Sequence, residues 1–384
     1  MKRAAAVALV ILLTGCQTVS DTYNQWFGTP RIVQKPAELT TIQPTATLRI
    51  LWRGGVGRAE KSVFFPAVSG NVVYATGTNG QIGAFDAVSG TPAGQVDTGQ
   101  RLSGGVGAGA GLVVVGTGQG EVLAFEPEGK QRWKAQLTGE VLAPPVAEDG
   151  IVVARTGDGR IFGLDSVTGA RKWVYQRSTP SLSVRSHVGV VVYRGAVFAG
   201  FAGGRLVALS LSNGNVGWES VVAFPRGTTE LERVADVTSL PVVDDQVACA
   251  VAFQGRVACF NPVRGSLVWA RDVSSIAGMA SDGRNVYITD DRSAVVAHDQ
   301  ANGASVWKQD KLFGRGLTGP LAIGRHVVVG DFEGYVHVLS RDDGAFAARI
   351  ATDGSAVIAP PAALNSSSFV VQTRDGGVFA ITVQ

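Results

Sequence analysis

Reactive side chains are scarce in this 384-residue chain. It has three cysteines and four histidines, and its formal charge is only +3. The histidines, His187, His298, His326 and His337, form no His-x-x-x-His pair and have no cysteine beside them at metal-ligand spacing. No Gly-x-Ser-x-Gly elbow and no Gly-Lys-Ser/Thr phosphate loop occurs. Acid pairs such as Asp290-Asp291 and Asp342-Asp343 sit among turn residues, where solvated carboxylates are ordinary. These absences argue against an enzyme, and no catalytic, cofactor-binding or metal-binding residue is nominated. Charge is also lacking. Without Lys2 and Arg3 the 34 basic residues fall to 32, against 31 acidic ones. Such a balance excludes a nucleic-acid footprint and strong docking to anionic lipid.

A membrane-spanning run is missing from the N-terminus as well. Residues 4–13 are apolar, but a span needs about twenty residues. A ten-residue run behind Lys2-Arg3 fits a signal peptide. It ends Leu13-Thr14-Gly15-Cys16, which resembles the bacterial lipobox, so residues 1–15 are expected to be removed and Cys16 lipidated. Gln17 rather than Asp follows the cysteine, which in Gram-negative lipoproteins implies the outer membrane. Several acyl chains make a stable anchor. Residues 16–45, with Pro30, Pro36 and Pro44 and no apolar periodicity, read as a flexible tether broken only by Trp26-Phe27. The other two cysteines, Cys249 and Cys259, flank a turn at Gln254-Gly255. A disulfide and a pair of buried thiols both remain open for them.

What the chain does have is glycine, 50 residues of it, and a repeat of about forty residues that returns eight times. One copy reads Gly157-Asp158-Gly159-Arg160-Ile161-Phe162-Gly163-Leu164-Asp165-Ser166-Val167-Thr168-Gly169-Ala170-Arg171-Lys172-Trp173. Short β-branched runs alternate with turns in which Asp caps the backbone and Gly supplies positive φ. With one further run this makes about four strands per unit, the pattern of a propeller blade. The fold expected is all-β, an eight-bladed propeller over residues 46–384. Trp133, Trp173, Trp218, Trp269 and Trp307 each follow the turn glycine by four residues and are expected to pack between blades. Gly94 and Ala348 stand in their place in two copies. The eighth copy stops at Gln384 one strand short, and the run Leu48-Arg49-Ile50-Leu51-Trp52 is expected to enter the last blade and close the ring.

Two linkers are long. From tryptophan to the next opening glycine the gap is 26 residues for Trp133 to Gly159, but 31 for Trp173 to Gly204 and 37 for Trp218 to Gly255. Both insertions join the outer strand of one blade to the inner strand of the next, so they should emerge side by side on one face. Insertions on one face of a repeat protein are often its binding face. The first carries Leu182, Val184, Arg185 and His187, and the second runs from Phe224 to Val237 with a candidate helical turn. Aliphatic residues rimmed by Arg and carboxylates fit a protein interface.

The Asp-x-x-Thr-Gly-x-x-x-Trp unit resembles the repeat of pyrroloquinoline-quinone dehydrogenases. Many of those enzymes share a vicinal Cys-Cys, and they carry long inserted loops; this chain has neither, so that resemblance supports the scaffold and not the activity. The combination of lipobox, tether, eight repeats and paired insertions is similar to the BamB family, lipoproteins of the outer-membrane β-barrel assembly machinery. The closest motifs are Thr179-Pro180-Ser181-Leu182 with Arg185, and Thr229-Glu230-Leu231 with Arg233, Asp236 and Val237. The resemblance implies a non-enzymatic scaffold at the periplasmic face of the outer membrane, without cofactor, whose loops bind the POTRA domains of BamA. Leu182, Val184, Arg185 and Asp236 would be the contacts. Where the family has a second Asp, this chain has Thr238. Exposed blade edges would offer unfolded outer-membrane proteins a strand to pair with. Two other readings are a quinone-dependent periplasmic dehydrogenase and a polysaccharide-binding propeller.

Overall fold

The computed structural model describes residues 35–384. The signal peptide, Cys16, Trp26-Phe27 and most of the tether lie outside the described residues. From Ala37 onward the chain forms one compact unit of 32 strands in eight four-stranded antiparallel sheets. The blades, in chain order, cover residues 67–97, 102–136, 146–175, 191–221, 242–271, 278–309 and 321–351 (blades 1 to 7). Blade 8 takes three strands from residues 362–383 and its fourth from Leu48–Gly55, which pairs antiparallel with Gly377–Val383. The ring is therefore closed by the N-terminal strand, as its Trp52 suggested.

The core is not at the centre but in the seams. Eight apolar clusters occupy the eight interfaces between neighbouring blades, the last joining Val370 and Val378 of blade 8 to Val73 and Phe85 of blade 1. Each blade is packed on both faces, so its inner strands read as continuous apolar runs. Leu112–Thr117 and Ala248–Val251 are buried at every position.

The repeat motif is the docking device of these seams. Asp165 Oδ1 accepts from the amides of Val167 and Thr168 and from the Thr168 hydroxyl, which fixes the turn. The Thr168 amide first, then Lys172, holds that carboxyl at about 2. Gly169 adopts φ 73° and lies flat on Trp133 of the preceding blade, where a Cβ would come within 2.7 Å of the indole. The Trp133 Nε1–H donates to the Ser166 carbonyl at 2.9 Å. Trp52, Trp173, Trp218, Trp269 and Trp307 repeat both contacts in their own seams.

The two lost tryptophans follow from the same geometry. Ala348 faces blade 8, where the strands that such a turn would join come from opposite ends of the chain, so no turn glycine awaits a ring. Thr45 and Ala46 donate to the Ala347 carbonyl there instead. Gly94 faces blade 2, whose turn is one residue shorter: Gly129 N bonds to Glu126 O, and Val96 meets that glycine.

Cys249 and Cys259 are directly opposed across a hairpin, 4.0 Å apart at Cα, and are disulfide-bonded. The tether ends earlier than residue 45. Ala37 N donates to the Phe313 carbonyl. Arg315 donates to Ala37 O and Arg349 to Thr40 O. Arg315 is itself held by the buried Asp331, which also accepts from His337 Nε2 at 2.9 Å. Residues 37–46 thus lie against blade 7 and the connection that precedes it. No periodicity marks such a segment, because its arginine partners are 278 and 309 residues away in the chain.

Candidate functional site

The two insertions are residues 176–190, between blades 3 and 4, and 222–241, between blades 4 and 5. An antiparallel meander sends every blade-to-blade connection out at the same end, so consecutive connections are neighbours. They are also bonded to each other. Asp236 of the second loop is 2 % exposed. Its Oδ2 accepts from the Val184 amide of the first loop at 2.7 Å, and its Oδ1 from the Gly203 amide at 2.9 Å. The Ser186 hydroxyl donates to Thr238 O, and Val237 N donates to Phe201 O.

The second loop contains the helical turn its sequence suggested, closed by a reciprocal cap. Glu232 N donates to Thr229 Oγ1, while Glu232 Oε2 accepts from the amides of Thr228 and Thr229. The Thr228 amide is the largest of the causes that lower the Glu232 pKa. Arg233 N returns to Thr229 O. The Gln254 amide nitrogen, turned toward this loop, lies 3.1–3.2 Å from the carbonyls of Leu231, Glu232 and Val234.

Leu182 is 40 % exposed at the tip of the first loop. Val184 is half-buried. Arg185 is exposed and pairs with Glu140 at 2.8 Å, a residue of the connection between blades 2 and 3. Phe224 and Leu231 project from the second loop, 57 % and 70 % exposed. The loop face continues into the mouth of the central channel, an opening of about 480 Å³ lined by Arg185, His187, Leu240, Ile276 and Pro360, among others. Burial and then Arg185 lower the His187 pKa, so this side chain enters the surface as a neutral ring.

Three of the four expected contacts therefore sit together on the first loop. Asp236 does not join them on the surface: the side chain expected to face a partner points inward and spans two backbone donors. Glu140 was not anticipated, because its connection has ordinary length and carries no signal in the spacing. Among the described residues no group of three His, Cys, Asp or Glu side chains is placed to hold a metal ion.

The family model described as outer membrane protein assembly factor BamB matches residues 78–309 and 291–384. The chain is 44% identical over 389 residues to the protein of that name from Nitrosomonas eutropha, covering 100% of this chain and 95% of the relative. Its counterpart from Burkholderia pseudomallei is 40% identical, with 98% and 96% covered. The crystal structure of BamB from Moraxella catarrhalis superposes with a TM-score of 0.80 at 27% identity, covering 88% of this chain and 100% of that one. A quinohemoprotein alcohol dehydrogenase from Comamonas testosteroni shares the fold alone, at TM-score 0.70 and 14% identity over 87% of this chain and 76% of that one.

Proposed function

Since the chain belongs to the BamB family of outer-membrane protein assembly factors, we propose that it is a non-enzymatic scaffold of the barrel assembly complex, holding the POTRA domains of BamA on its two enlarged loops. In this reading Cys16 carries the lipid anchor and the body works at the periplasmic face of the outer membrane. Leu182 and Val184 supply apolar burial, and Arg185 with Glu140 forms the charged rim. Asp236 acts through the loops rather than by touching the partner.

The observation that supports this most is the bridge from Asp236 to the Val184 amide. It makes one preorganised surface of two long loops, which lowers the ordering cost of binding.

The test is calorimetric binding of the mature chain to the POTRA segment of BamA from the same organism, compared with Leu182→Asp and Arg185→Glu. Loss of binding in both variants, with unfolding curves unchanged, is the expected result. A folded wild-type chain that does not bind would overturn the proposal.

A further inference from the structure

Blade 4 and its seam with blade 5 combine three features. First, of the six described tryptophans that dock blades together, five are 5–8 % exposed, and only Trp218 is not among the buried residues. Leu112, Ile151 and Val247 pack in the same clusters as Trp133, Trp173 and Trp269 and shield those rings. In blade 4 that position is Ala196. The seam between blades 4 and 5 is left open as a groove of about 440 Å³, walled by Phe198, Trp218, Val216 and Val263. Val263 is 83 % exposed on its rim.

Second, the outer strand of blade 4, Val216–Val221, borders this groove and pairs only on its inner side, with Arg205–Ser210. It reads Val-Gly-Trp-Glu-Ser-Val. Every other outer strand carries Lys, Arg or Pro: Pro92, Arg132, Lys172, Arg271, Lys308, Arg349 and, in blade 8, Arg49 and Arg53. Such residues protect sheet edges from pairing with another chain; this edge has no Lys, Arg or Pro, and its one charge, Glu219, is paired with Arg177 and Arg205. Gly217 is not imposed by crowding, since a Cβ there would meet only the Ala208 carbonyl at 3.5 Å.

Third, the rim is acidic. Asp245 is neutralised by Arg194 at 2.7 Å. Asp244 is hydrogen-bonded by neutral donors, Gln300 Nε2 and the amides of Gln246 and Val247, and no described Lys or Arg lies within 4.0 Å of it.

We propose that this edge and groove are a docking site for an extended peptide segment. The segment adds as a fifth strand to blade 4, places one large apolar or aromatic side chain against Trp218 and Phe198, and sets a basic residue two positions along, on the same face of the strand, toward Asp244. Main-chain pairing gives such a site affinity and the pocket gives it selectivity. The site is independent of the loop face.

Fluorescence anisotropy with the labelled peptide acetyl-Ser-Val-Thr-Phe-Thr-Lys-Val-Ser-amide, whose Phe and Lys share one face of a strand, tests it on the mature chain. Saturable binding is expected. Replacing Phe by Ser and Lys by Glu in the peptide should weaken it at least about tenfold. Ala196→Leu, which restores the residue type of blade 2, should do the same. Should that variant fold poorly, Val263→Lys at the exposed rim supplies the same test without touching the core. Leu182→Asp should bind the peptide like the wild type. No binding by the wild type up to about 1 mM, equal binding by both groove variants, or loss of binding in Leu182→Asp would each overturn the proposal.

Discussion

Replacing Asp236 by alanine separates a brace from a contact. The wild-type carboxylate is buried and accepts two backbone N–H groups, at 2.7 and 2.9 Å. A hydrogen bond to a charged group contributes about 1.5–3 kcal/mol, and a buried donor left without a partner costs about 1–3 kcal/mol. Taking only about 2–3 kcal/mol as the loss felt by the first loop, its ordered population relative to open forms falls roughly 30–150-fold. The affinity of a partner that needs the ordered loop falls by up to that factor. The blades keep their seams, so the unfolding midpoint moves far less than the affinity. Asn at this position retains one carbonyl acceptor and should fall between wild type and alanine. Calorimetry against the POTRA segment, paired with hydrogen exchange at the Val184 and Gly203 amides, reads both halves of the argument. Faster exchange at these amides together with weaker binding is expected. Lost binding with unchanged protection would mean that Asp236 touches the partner directly, and unchanged binding would end the argument altogether.

Trp173→Ala should cost about 3–5 kcal/mol in urea unfolding, because its ring fills the seam against Gly214 and its indole N–H is bonded to Leu211 O; a loss below about 1 kcal/mol would refute the docking role of the motif. Reducing Cys249–Cys259, separated by 10 residues, should lower stability by about 2–3 kcal/mol from loop entropy, and coincident unfolding curves with and without dithiothreitol would contradict this. The pH dependence has a definite sign. Burial lowers the pKa of all four histidines, opposed at His337 by its bond to Asp331. The unfolded chain titrates near about 6.5 and so binds more protons than the folded one below that value. Stability should therefore fall from pH 7.5 to pH 5, and an unchanged thermal midpoint over that interval would show that these rings are not held neutral.

The architecture was legible in the sequence because each of its elements is local. Asp165, Thr168, Gly169 and Trp173 lie within nine residues, so turn chemistry and the docking ring recur as a readable period. Blade number, the closing strand at Trp52 and the neighbouring positions of the two long loops follow from that period, since a meander returns its connections to one end. The first loop could be read too, as Leu182 and Arg185 stand out by composition alone.

What only the tertiary structure decided depends on partners far apart in the chain. Asp236 looked like a surface charge until the fold placed two backbone donors around it, one of them 52 residues away. Residues 37–45 looked like tether until Arg349 of blade 7 and Arg315 of the connection before it were brought to them. Cys249 and Cys259 left their bonding open until strand register set them face to face. Ala196 is an unremarkable alanine in the sequence, and it becomes a groove only because the rings it fails to cover come from other strands. Period and turn chemistry are written within one repeat, whereas burial of a charge and the opening of a seam are properties of surfaces that meet only when the ring closes.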